Sequence, residues 1–166
     1  AHWSQQTHTW TFPSGATLTF GYLEHENDIY QYQGAEFGFI GFDELTQFSE
    51  TQYRYLFSRL RQQAGAAYPL RMRAASNPGG IGHDWVKQRF LVEGVQAGRV
   101  FIPAKLGDNP YLDAVTYTRS LQELDPVTRR QLLEGDWTAR QAGGMFKREW
   151  FEIVDVASAS CRKVRF

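Results

Sequence analysis

Two adjacent carboxylates, Asp43 and Glu44, close an apolar run that reads Phe37-Gly-Phe-Ile-Gly-Phe42. Side chains alternate faces along a strand, so neighbouring acids can take different jobs only where the strand is ending. At the tip of a buried strand, such a pair suits phosphoryl transfer. One acid holds the shell of a divalent cation, and the other residue positions or deprotonates the nucleophile. A plainer reading is also open, in which Asp43 or Glu44 lies near the start of the next helix for capping and dipole reasons.

The elements around the pair are those such a site needs. The run 37–42 has the length and character of a strand buried on both faces, as in a parallel sheet. Open α/β sheets place their ligands at the carboxyl ends of such strands. Gly38 and Gly41 are poor strand residues and imply a close neighbour there, either a helix or another backbone. An apolar run followed by Asp-Glu is the Walker B pattern of nucleotide hydrolases. Downstream, Ser49 with Gln52 three residues on forms a capping box, and Tyr53, Leu56, Phe57 and Leu60 follow at helical spacing. That helix is expected to end near Gly65.

Residues 7–23 read as two alternating strands joined by a Pro-Ser-Gly turn, with Trp10, Phe12, Leu18 and Phe20 at the apolar positions. Residues 24–33 read as a polar loop. The next strand is expected over Leu70–Ala75, with Arg71 and Arg73 on one face. Either that face is uncovered, or the arginines lie near a sheet end. Ser76 to Gly82 reads as a tight loop of Asn-Pro and Gly-Gly turns, and Asn77 there can be a plain turn residue. Helices are expected over Asp84–Val92, Leu112–Leu124 and from Pro126, which Asp125 caps and Gly135 stops. Val100–Pro103 reads as a short strand. From Gln141 the chain reads as a linker or the start of another unit.

At 166 residues the chain fits one domain with a real core. The single cysteine, Cys161, gives no internal disulfide and suits a reducing cytosol. The four histidines lack metal-ligand spacing. No stretch approaches membrane-spanning length. The formal net charge of zero hides an asymmetry, because residues 1–53 contain no Lys or Arg. Residues 54–99 carry Arg54, Arg59, Arg61, Arg71, Arg73, Lys87, Arg89 and Arg99 against Asp84 and Glu93. Such a half can meet nucleic acid or phosphate, or simply offset the acidic half within one fold.

Several segments taken in order resemble the large terminase subunit of tailed bacteriophages. They are the hairpin ending FGYL, YQGAEFGFIGFDEL, the RLR at 59–61, AASNPGG, FIPAKLGDNPYLD, LDPVTRRQLLEGDW, and GGMF followed by Glu149-Trp150-Phe151. The resemblance spans nearly the whole chain. It implies an α/β fold, a partial P-loop NTPase (ASCE/RecA-like) sheet with flanking helices and an N-terminal β-hairpin, without the phosphate-loop strand. It implies ATP and Mg²⁺ as cofactors. Asp43 matches the acid that holds magnesium, Glu44 the carboxylate that activates the attacking water, and Asn77 the coupling motif that senses the terminal phosphate. The implied partners are double-stranded DNA and, in the intact protein, the portal, the small terminase subunit and other copies of itself. The implied place is the cytoplasm of the bacterial host.

The sequence departs from the family pattern in three places. No Gly-x-x-x-x-Gly-Lys-[Ser/Thr] phosphate loop occurs in it. Residues 1–140 are therefore expected to be the C-terminal half of the ATPase domain, with weak nucleotide binding on their own. Residues 141–166 are expected to be a linker toward an RNase H-like nuclease that is itself absent. Gln33 stands where some relatives carry an arginine finger, which leaves Arg59 and Arg61 as the nearest candidates for a finger or a DNA contact, or as plain solvated bases. Two other readings remain open on the residues alone, a helicase-type ATPase and a catalytically silent interaction module.

Overall fold

The computed structural model describes residues 1–62 and 64–139. The expected linker, with the segments around Gly143–Phe146 and Glu149–Phe151, lies outside the described residues. The order is β1 (His2–Ser4), β2 (Thr9–Thr11), β3 (Thr17–Thr19), a 3₁₀ segment (Glu26–Tyr32) and β4 (Phe39–Phe42). A short 3₁₀ turn (Leu45–Gln47), α1 (Glu50–Phe57), β5 (Arg71–Ala74) and α2 (His83–Val86) follow, and α2 runs on as a π-type turn over Lys87–Val92. A 3₁₀ turn (Leu106–Asp108), α3 (Ala114–Leu121) and α4 (Pro126–Glu134) complete the described part.

Two separate sheets form. β1, β2 and β3 make an antiparallel meander with Trp3 opposite Trp10 and Trp10 opposite Leu18. The expected hairpin is therefore joined by a third strand. Three residues are too few to show alternation in sequence, and the Trp3 and Trp10 rings, 5.4 Å apart, supply the pairing. Trp10, Phe12, Leu18 and Phe20 all stay exposed among the described residues.

β4 and β5 pair in parallel, Phe39 with Arg71, Ile40 with Met72, Gly41 with Arg73 and Phe42 with Ala74. One face carries Ile40, Phe42 and Met72 into a core with Leu45, Tyr53, Leu56, Val86 and Trp137. On the other face Phe39 is 53% exposed, and Arg71 and Arg73 are exposed beside it. The expectation of a strand buried on both faces is thus corrected. Helices α1 and α2 cover one side, and no described element covers the other. This also resolves the arginine alternation in favour of an uncovered face. The close neighbours expected at the glycines are side-chain rings rather than a helix or a backbone: a Cβ at Gly38 would stand 2.6 Å from the Tyr68 ring, and one at Gly41 3.2 Å from the Phe39 ring of the same strand.

Helix α1 starts as its capping box dictates. Ser49 Oγ accepts from the Gln52 N–H at 3.1 Å, and Gln52 Oε1 accepts from the Ser49 N–H at 2.9 Å. It ends at Phe57 rather than near Gly65. The chain turns there so that Phe37 N–H can donate to Arg59 O at 3.0 Å and Arg61 N–H to Phe37 O at 3.1 Å. This bridge pairs Phe37 with Leu60 and takes Arg59 and Arg61 off the helix. Three further expectations change. Residues 26–32 are helical rather than a loop, because the Asp28 carboxylate caps the N–H groups of Glu24 and His25, each at 2.7 Å. Val100–Pro103 forms no strand, with Val100 and Ile102 exposed and no partner strand beside them among the described residues. Helix α3 starts at Ala114, where Asp113 accepts from the Val115 and Thr116 N–H groups. Asp125 caps α4, and Gly135 stops it at φ 61°.

Candidate functional site

Asp43 and Glu44 stand at the carboxyl end of β4, where the backbone changes direction. Leu45, 2% exposed, pins the next residue into the core, a burial worth about 1.5–3 kcal/mol. The Leu45 N–H donates to Ala75 O at 3.1 Å, so the acid turn is tied to the tip of β5. Between these anchors Glu44 adopts a left-handed conformation, φ 50° and ψ 56°. For a non-glycine residue this costs on the order of 1 kcal/mol and persists only where the surroundings enforce it.

The conformation sends the Glu44 carboxylate across to the neighbouring strand tip. Asn77 Nδ2 donates to Glu44 Oε1 at 3.3 Å, and the Asn77 N–H donates to Glu44 Oε2 at 3.4 Å. Both are long for hydrogen bonds, as pairs in ligand-free catalytic sites often are. Glu44 occupies the N-cap position of the Leu45–Gln47 turn, yet its side chain makes no capping bond. Ser49 caps α1 instead. Asp43 is exposed beside it and makes no hydrogen bond or ion pair with any described residue.

The loop that carries Asn77 is held from three sides. The Gly79 N–H donates to His83 Nδ1 at 2.9 Å, which leaves the ring proton on Nε2. The His83 ring lies 5.4 Å from that of Trp137, just beyond α4. Gly80, at φ 75°, fits only without a side chain, since a Cβ would stand 2.6 Å from Thr46 O. Behind the loop is an open cleft of about 320 Å³ between Gly79, His83 and Gln131.

Arg59 and Arg61 lie elsewhere. They flank the Phe37 bridge, six residues before Asp43 and so roughly 20 Å away along an extended chain. Arg59 contacts Ser58 Oγ at 3.0 Å and covers the Tyr55 ring. Arg61 donates to Ala35 O at 3.1 Å and lies 3.6 Å from Glu36. The structure therefore gathers Asp43, Glu44 and Asn77 and leaves both arginines apart from them.

A family model for the N-terminal part of the T4likevirus-type terminase large subunit matches residues 2–153. The chain belongs to the terminase large-subunit family. It is thus the N-terminal region of a component of the DNA-packaging motor, which decides between the packaging and helicase readings. No curated protein and no solved structure matches this terminase chain. Among its described residues no helix is long and apolar enough to cross a membrane.

Sequence reasoning missed Thr46 at this site. It lies between Leu45 and Gln47 in the segment after the acids and carries no local signal of its own. Its place against residues 76–82 depends on a contact thirty residues away in the chain.

Proposed function

We propose that residues 1–140 are the C-terminal half of a terminase ATPase domain of the P-loop NTPase class, and that 141–166 lead toward a nuclease domain. In the intact protein the strand tips of β4 and β5 hydrolyse ATP to drive double-stranded DNA into a procapsid. The observation that carries this reading is the Glu44–Asn77 pair at the tips of two adjacent parallel strands, with Asp43 free beside it.

The residues fit Mg-ATP at one end only. No cluster of three or more His, Cys, Asp or Glu side chains gathers among the described residues. Magnesium in nucleotide sites needs no such cage, since it keeps several waters and takes one or two carboxylates plus phosphate oxygens. Asp43 is suited to hold that water shell. The phosphate cradle would come from a segment outside this sequence. Mg-ATP, when bound, supplies a transferable phosphoryl group whose charge the cation offsets.

Glu44 then holds the attacking water and takes its proton, a step typically worth a hundredfold or more. Asn77, bonded to Glu44, offers its amide to the terminal phosphate and reports its presence through the 76–82 loop. The arginines act outside their own site, on a neighbouring copy or on the DNA backbone, together with the other bases of 54–99. The portal and the small terminase subunit are the further partners, in the host cytoplasm.

The test is the magnesium dependence of ATP turnover by full-length terminase carrying Asp43→Asn. The reading expects half-maximal turnover to need about tenfold more Mg²⁺ or beyond. An unchanged magnesium dependence would remove Asp43 from the site.

A further inference from the structure

Thr46 is 1% exposed, and a buried hydroxyl costs stability unless it is bonded. Every polar atom of this residue is engaged, always with the loop that carries Asn77. The Thr46 N–H donates to Ser76 Oγ at 3.0 Å. Its hydroxyl donates to Asn77 O at 3.0 Å and lies 3.0 Å from Ser76 Oγ, which can donate to it in turn. Its carbonyl accepts from the Gly82 N–H at 2.8 Å, and the same oxygen leaves no room for a side chain at Gly80.

These bonds define one rigid unit. Glu44 and Thr46 are two residues apart, with Leu45 locked in the core between them. The segment that aims the carboxylate therefore also grips the Asn77 backbone from behind. Long Glu44–Asn77 bonds of 3.3 and 3.4 Å cannot set that geometry by themselves. The shorter bonds through Thr46 can.

We infer that Thr46 is a positioning residue, a buried clamp that fixes Asn77 against Glu44 and keeps the 76–82 loop in the register that hydrolysis needs. The role rests on the assignment of Glu44 and Asn77 to the hydrolytic site. The clamp itself does not, because it can be read without nucleotide.

The experiment compares Thr46→Val and Thr46→Ser in full-length terminase, each alone and with Asn77→Ala. Thr46→Val removes the hydroxyl and keeps the shape. In nucleotide-free protein, amide hydrogen exchange over residues 76–82 should quicken about tenfold in Thr46→Val and little in Thr46→Ser. ATP turnover should fall about tenfold in Thr46→Val with KM within about twofold, and Thr46→Ser should recover most of it. In the Asn77→Ala background Thr46→Val should cost nothing more, since residues acting as a unit are not additive.

Unchanged exchange in Thr46→Val would overturn the clamp. Equal losses of turnover with and without Asn77 would overturn its action through Asn77. If Asn77→Ala leaves turnover intact, the site assignment falls, and the exchange comparison still decides on the clamp. Should Thr46→Val fail to fold, Ser76→Ala breaks the same network and decides by the same comparisons.

Discussion

Asn77 donates to both oxygens of Glu44, once from its backbone N–H and once from its side-chain amide. The two residues are thirty-three positions apart and meet because β4 and β5 run parallel and end together. A carboxylate held this way is oriented yet stays exposed to a ligand arriving from solvent. That combination suits a group which must accept a proton from water at a fixed place.

Removing the amide should therefore disorient the Glu44 carboxylate, the proposed base, without emptying the site. Asn77→Ala in full-length terminase is expected to lower ATP turnover about tenfold or more. The decisive comparison is kcat against KM in steady-state kinetics. A rise in KM at unchanged kcat would mean that Asn77 only binds nucleotide.

The loop beneath Asn77 depends on a missing side chain. Gly80→Ala brings a Cβ to 2.6 Å from Thr46 O at a residue with φ 75°. The expected loss is on the order of 1–3 kcal/mol, read as a lower denaturant midpoint at unchanged m-value. A midpoint equal to that of the parent would show that the loop relaxes freely.

Helix α1 packs Tyr53 and Leu56 into the core behind β4, so its start supports the acid turn indirectly. Ser49→Ala removes the acceptor for the Gln52 N–H. A loss of about 1 kcal/mol is expected in the same denaturation assay. No loss would mean that water replaces the cap.

Much of this was legible in the sequence. The apolar run with its acid pair, the Ser49–Gln52 box, and the Asp125–Pro126 start with its Gly135 stop are all local signals, and the structure contains each of them. What failed was non-local. The end of α1 is set by the pairing of Leu60 with Phe37, and the open face of β4 by the lack of a covering element among the described residues. Thr46 gave no signal because its partners, Ser76 to Gly82, come from the far side of a parallel crossover.

Acid should loosen the α4 region. The Asp136 carboxyl is held at about 2, against 3.8 ordinarily, by the Thr138 hydroxyl and N–H, then by Arg130 and the Ala139 N–H. Asp125 is lowered by the hydroxyl and N–H of Thr128. A folded-state pKa below the unfolded one gives stability that is present above 3.8 and lost as pH falls toward 2. Melting temperature should drop across that window, and Asp136→Asn should lose part of the drop. An equally steep fall in the variant would remove Asp136 from the explanation.

The central claim is that Glu44 is the base of an ATP-hydrolysing site, and the most direct measurement is single-turnover ATP hydrolysis by full-length terminase carrying Glu44→Gln. The expected rate is lower by about a hundredfold or more with Mg-ATP binding retained, because glutamine keeps the shape and can still accept one of the two Asn77 bonds but cannot take a proton. Hydrolysis at the parent rate would contradict it, and the acid pair would then serve the fold alone.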